Sequence, residues 1–329
     1  MDPRLAAAFA DRLAALAPAN HAWAARFAGR GGARQPVHVV YGGAHLFTAE
    51  TPRKLGAVAL AALDRHAPDP ASLAEALGIA PAHADAVYGR VRAKLAAEPV
   101  EDYRVDFEDG YGTRPDAEED AAARHVGAEL ARAAREGLLP PFVGVRVKSL
   151  HEETKARSAR TLALVLEALL AAGPPPPGFV VTLPKVTLPA HVATFAAMLG
   201  DIEAAFGLPA RALRLELMIE HVSAIVAADG TIAVPALVAA ADGRCVAAHF
   251  GTYDHTASAG VTAAWQRPDH PACDLARGLL QASLAGTPVA LSDGATTLLP
   301  VEPHKAAPGA GVSADERNDD KAAVGKMWR

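Results

Sequence analysis

Cysteine is scarce in this chain. Only Cys245 and Cys273 occur among 329 residues, with no Cys-x-x-Cys pair and no histidine-rich spacing beside them, which argues against a disulfide framework or a zinc site. A surplus of one charge is also lacking. The net charge of -5 and a pI near 6.2 leave no broad basic field, so neither nucleic acid nor an anionic membrane is expected as a partner. Long pure apolar runs are missing as well. Arg4, Asp11 and Arg12 interrupt the opening MDPRLAAAFADRLAALAP, unlike a signal peptide, and no later run has the length and purity of a membrane span. A reducing cytoplasm fits these absences. There is no GxxxxGK[ST] loop for a nucleotide and no repeat of fixed period.

What is present is ample material for a large core, with 51% hydrophobic and 21% charged residues. The high alanine content reports helix propensity more than lipid contact. Residues 3–28 read as an amphipathic helix, released at Gly29-Arg30-Gly31-Gly32. Beyond it, short apolar runs alternate with longer alanine-rich helical stretches. The runs are VHVVYGG (37–43), YRVDFEDG (103–110), FVGVRVKS (142–149), GFVVTLPK (178–185), LRLELMIE (213–220), CVAAHFGTYD (245–254) and PVALSDG (288–294). Helices are expected at 49–66, 116–136, 150–172, 188–206, 222–242 and 269–285. This βαβα rhythm, with continuous rather than alternating hydrophobicity in the strands, predicts an α/β fold with a parallel sheet covered on both faces.

Polar residues gather where each run ends, and in a (β/α)8 TIM-type barrel those ends share the active-site rim. The predicted organisation is an N-terminal helical extension (1–36), a barrel (37–299) and an irregular tail (300–329). An eighth strand is not evident, and a missing carboxy-terminal piece is the preferred explanation.

Glu220 and Asp254 end the fifth and sixth runs, and two hard carboxylates at one barrel mouth suit Mg²⁺ completed by waters and substrate oxygens. Solvated rim charges are the plainer alternative. Gly251 lets a ligand approach the backbone, or simply serves a turn. Arg146 closes an apolar strand, where its fork matches a carboxylate or phosphate, with a salt bridge to Glu108 or Asp109 as the structural alternative. Glu108 and Asp109 either orient Arg146 and the metal's waters or cap the following helix. Lys185 is a candidate imine-forming amine, though a rim ion pair is preferred because a metal-dependent site needs no imine.

The segments DFEDGYGTRPDAEEDAA, GVRVKSL, LPKV, LELMIEHVSAI and FGTYDHTASAG, in that order, resemble the citrate lyase β-subunit-like aldolases and, more distantly, the malate synthases, over residues 37–294. The resemblance implies a phosphoenolpyruvate/pyruvate-type barrel. It implies Mg²⁺ on Glu220 and Asp254, and Arg146 on the substrate's carboxylate or carbonyl side. Glu108, Asp109 and Lys185 join the catalytic candidates, and Lys148, Gly251 and Thr252 join the substrate-binding ones. The implied reaction is a carbon–carbon lyase or aldolase reaction on a keto acid or acyl-CoA through a metal-stabilised enolate; a coenzyme A requirement stays open. A homo-oligomer is expected independently of the resemblance, because soluble enzymes usually assemble and an open barrel edge would invite a partner. Lys148 stands where asparagine is usual, and Tyr41-Gly42-Gly43 where a proline-containing loop is usual. The general base is not assigned among His45, His249, His255 and His304.

Three rivals stand beside this reading: phosphoenolpyruvate-type phosphoryl transfer, a degenerate metabolite-binding barrel, and DNA binding. The last rests on residues 70–95, which read like helix-turn-helix with Arg90, Arg92 and Lys94 on the second helix.

Overall fold

Residues 2–295, 303–306 and 311–326 are described by a computed structural model of the chain. The first half runs α1 (Pro3–Arg26), β1 (Val39–Gly43), α2 (Thr51–His66), α3 (Pro70–Leu77), α4 (Ala84–Ala97), β2 (Asp102–Asp106), α5 (Asp116–Glu136) and β3 (Phe142–Arg146). It continues with α6 (Lys155–Leu170), β4 (Phe179–Leu183), α7 (Pro189–Ala205), β5 (Arg214–Ile219), α8 (Val222–Ile225) and α9 (Val234–Ala240). Last come β6 (Cys245–Phe250), α10 (Thr252–Ser258), α11 (Pro271–Leu284), β7 (Ala290–Ser292) and α12 (Ala314–Lys326). The fold is α/β, and the described residues contain seven strands.

The described residues divide into two compact units. One takes 36–182, 202–213 and those from 294 onward; the other takes those up to 35, 183–201 and 214–293. In the first unit β1 to β4 pair in parallel and in chain order, with Gly43 opposite Asp106, Asp106 opposite Arg146 and Arg146 opposite Thr182. Every residue of β2 and β4 is buried, as a parallel sheet covered on both faces requires. Val105, Val145 and Val181 lie at the centre of this unit. Helices α5 and α6 approach closely at Gly127, where a Cβ would stand 2.4 Å from the Val165 carbonyl oxygen. Acidic Asp116, Glu118 and Glu119 in the first turn of α5 complement the helix dipole, and left-handed Gly137 ends it.

In the second unit β5, β6 and β7 are also parallel and in chain order, with Ile219 opposite Phe250 and Ala248 opposite Leu291. Leu215, Leu217, Ile219, Ala248, Phe250 and Leu280 form its interior. The segment after α1 joins this unit through Gly29 N–H on the Gly286 carbonyl at 2.8 Å and the Gln35 amide on the Leu291 carbonyl at 2.7 Å.

The expected strand ends move inward, because the chain turns earlier than its hydrophobicity falls. β2 stops at Asp106, so Glu108 and Asp109 occupy the following turn; β6 stops at Phe250, so Asp254 sits in the first turn of α10. The single helix expected at 222–242 is two short helices, since the turn around Asp229 and Gly230 interrupts it. The expected helix at 150–172 begins only at Lys155. Part of the tail read as irregular is helix α12, while 296–302, 307–310 and 327–329 lie outside the described residues. Among the described residues, no helix is long and apolar enough to cross a membrane.

Candidate functional site

In the second unit, β5 carries Glu220 to the start of the following loop, where the residue is 3% exposed. Its Oε1 accepts a hydrogen bond from the Lys185 backbone N–H at 2.6 Å. Its Oε2 lies against Gly251, where a Cβ would stand 2.5 Å from the Glu220 Cβ and 2.6 Å from Oε2. Glycine at 251 is therefore required by the carboxylate rather than by a turn. Asp254 is partly open to solvent, and its Oδ2 is 3.3 Å from Lys185 Nζ. Lys185 thus touches both acids, one through its backbone and one through its ammonium group. It holds a left-handed backbone conformation with φ 51, which costs a non-glycine residue energy and is often retained at functional positions.

Mg²⁺ sites usually take one or two protein carboxylates and leave their other positions to water and substrate, so Glu220 and Asp254 are residues of the type such a site uses. The Lys185 backbone N–H orients one Glu220 oxygen, and glycine at 251 lets the Glu220 side chain pack directly against the backbone. Among the described residues no group of three or more His, Cys, Asp or Glu side chains is placed to hold a metal.

Beside these acids, the Thr252 hydroxyl and His255 Nδ1 are buried, without a hydrogen-bond partner among the described residues. Burial, with a smaller push from His221, holds the His255 imidazole below its usual pKa and so favours its neutral form. His249 Nδ1 is 2.9 Å from the Ser292 hydroxyl.

In the first unit Arg146 ends β3 and is buried. Its Nε donates to Asp106 Oδ1 at 2.7 Å and its Nη2 to Asp106 Oδ2 at 2.5 Å. Nη1 lies 3.1 Å from Glu108 Oε2 and 3.7 Å from Asp109 Oδ2, and the guanidinium stacks over Tyr41 at 4.9 Å. Burial alone would lower the Arg146 pKa, but the bonds and charge of Asp106, with Glu108 behind them, raise it above the ordinary value.

Asp106 is the residue that sequence reasoning missed. It grips the Arg146 fork and also accepts the N–H groups of Glu108 at 2.9 Å and Gly110 at 2.7 Å, folding the turn that carries the other two acids. A signal was available: Asp106 is an acid inside a strand-forming run, where burial demands a charged or hydrogen-bonded partner.

Lys148 points into the protein rather than outward. Its ammonium group donates to the Phe107 carbonyl at 2.7 Å and to Glu119 at 2.8 Å, and Glu119 also accepts the Thr161 hydroxyl at 2.6 Å. His45 lies near the Tyr111 ring, with centroids 5.8 Å apart. His304 pairs with Asp320 on α12 at 3.0 Å, and that bond raises its pKa. In the helical hairpin at 70–95, Gly78 makes the left-handed turn at φ 66. There Arg92 pairs with Asp64, and Lys94 with Glu98 and Glu101, so these two charges are engaged by the protein's own acids.

Residues 16–329 match the family model described as "Domain of unknown function (DUF6986)". No curated protein sequence matches the chain. Among solved structures, the Haloferax volcanii malate synthase pyruvate/acetyl-CoA ternary complex aligns with TM-score 0.46 and 16% identity, over 70% of this chain and 56% of that one. The magnesium/glyoxylate complex of the same enzyme gives 0.45 and 16%, over 70% and 61%. Citrate synthase SbnG gives 0.38 and 14%, over 69% and 74%. The chain thus spans between 56% and 61% of the length of these malate synthases.

Proposed function

The chain belongs to the DUF6986 family, and we propose that it is a Mg²⁺-dependent enzyme of the (β/α)8-barrel type that breaks or makes a carbon–carbon bond beside a carbonyl. The observation that carries this reading is the seat of Glu220. Its buried carboxylate is oriented by the Lys185 backbone N–H and packs against Gly251, while the ammonium group of the same lysine lies 3.3 Å from Asp254, so one residue contacts both acids.

In this proposal Glu220 and Asp254 hold the ion. When bound, it supplies Lewis-acid charge beside the carbonyl at which negative charge develops. Lys185 aims Glu220 through its backbone, and its flexible ammonium group steadies Asp254 and adds positive charge to the same neighbourhood. Gly251 leaves room for the Glu220 side chain itself, and with Thr252 borders the substrate. The motif order, from DFEDGYG to FGTYDHTASAG, supports a keto acid or acyl-CoA as the substrate class.

Arg146 receives a different role from the one its motif suggests. A guanidinium whose fork is filled by Asp106 and whose remaining edge faces two further carboxylates is a positioning residue for those acids. Lys148, tied to Glu119, likewise holds the turn after β2 against α5.

The test is calorimetric titration of Mg²⁺ into the wild type, Glu220→Gln and Asp254→Asn, beside turnover of pyruvate, oxaloacetate and glyoxylate with and without an acyl-CoA. Each variant should bind Mg²⁺ at least about 10-fold more weakly while keeping its circular dichroism spectrum. Equal binding in all three proteins would refute the metal assignment, and phosphate release without carbon–carbon chemistry would redirect the reading to phosphoryl transfer.

A further inference from the structure

Helix α1 is 24 residues long, about 36 Å at helical rise, yet none of its side chains is buried. Leu5, Phe9, Leu13, Leu16 and Trp23, with Phe27 just beyond its end, recur at intervals of three, four or seven residues and so share one face, each between 37% and 68% exposed. Isolated helices of this kind are marginal in water, and most helical stability comes from packing an apolar face. A contiguous apolar surface of about 600 Å², as these exposures imply for leucine and aromatic side chains, exceeds what scattered surface residues normally present.

We propose that this face is a dimer interface, on which α1 of a second copy of the chain packs antiparallel. Two observations choose that occupant. The first is area: two such faces together bury about 1,200 Å², which reaches the lower end of specific stable interfaces. The second is the pattern of the helix about its middle, near Ala14. Reversing α1 about that point sets Leu5 against Trp23, Phe9 against Ala19, Leu13 against Ala15, Leu16 against Arg12, and acidic Asp2 against basic Arg26. Large side chains then meet small ones, each other or, for Leu16, the aliphatic stem of Arg12, and the two ends pair opposite charges.

A lipid surface suits the helix less well. Arg4, Arg12 and Arg26 are nearly balanced by Asp2 and Asp11, so the polar face lacks the lysine and arginine excess of membrane-surface helices. The inference is independent of the metal reading, since it uses no residue of either acid cluster.

The experiment is sedimentation velocity on the full chain across a concentration series to about 100 µM, with circular dichroism to monitor fold. The wild type should be dimeric. Leu13→Glu/Leu16→Glu should raise the dissociation constant about 100-fold or more, because each change places a charge in the buried stripe, with the melting curve of the monomer retained because α1 buries nothing. Asp2→Arg should weaken the dimer, and adding Arg26→Asp should restore it. A monomeric wild type, a dimer indifferent to Leu13→Glu/Leu16→Glu, or a monomer that pellets with phosphatidylserine vesicles would each overturn the proposal.

Discussion

Replacing Gly251 by alanine isolates the proposed metal seat more cleanly than deleting a carboxylate. Gly251 has φ -101 and ψ 100, a conformation open to alanine, so the substitution brings no backbone strain. What it brings is a methyl group 2.5 Å from the Glu220 Cβ and 2.6 Å from Oε2, distances at which Glu220 has to move. The 2.5 Å contact is to the root of the side chain, so rotating the carboxylate cannot relieve it. Overpacking of this kind costs about 1–3 kcal/mol and should lower the thermal midpoint by about 1.5–4.5 °C. The shift also pulls Oε1 from its 2.6 Å bond to the Lys185 N–H, and loss of such supporting bonds weakens metal binding by about 10–100-fold. Differential scanning calorimetry and Mg²⁺ titration read the two effects separately. Gly251→Ala added to Glu220→Gln should then change Mg²⁺ affinity little further, because both act through one carboxylate. A midpoint and a Mg²⁺ affinity both unchanged from wild type would refute the reasoning.

Two further outcomes follow from the first unit. Asp106→Ala strands the buried Arg146 and removes the acceptor of the Glu108 and Gly110 N–H groups, so it should cost about 3–5 kcal/mol in urea unfolding, with Asp106→Asn milder because it keeps an acceptor. The His304–Asp320 pair raises the folded pKa of His304, so its stabilisation is fully present below about pH 6.5 and is lost as pH rises through the raised value. Limited proteolysis around α12 should accordingly accelerate from mildly acidic to alkaline pH, and Asp320→Asn should abolish that dependence.

Much of the architecture is legible in residue order. Continuous apolar runs such as FVVTL and LELMI can bury both faces only in a covered parallel sheet, and each became a strand. Helix α5 matches its expected bounds because proline, three acids and a left-handed glycine punctuate it locally. Boundaries without such punctuation moved. FEDG after β2 and GTYD after β6 remain partly apolar, yet the chain turns there because Asp106 draws two backbone N–H groups inward and because α10 begins at Thr252.

The candidate site divides along the same line. Glu220, Asp254 and Gly251 were identifiable as residue types at run ends, and the first two can be weighed for Mg²⁺ from charge and hardness alone. That Gly251 exists for the sake of Glu220, and that Lys185 reaches both acids from a left-handed backbone, depends on contacts between segments 31 to 69 positions apart. Arg146 shows the limit most clearly. Its presence at a strand end is a property of the chain, whereas its partner is a matter of register, which sets Asp106 directly opposite and fills the fork. Short-range periodicity and capping determine which residues form strands and helices, because those forces act within a few positions. Which charge faces which is decided only when parallel strands come into register and burial makes every unpaired ion costly.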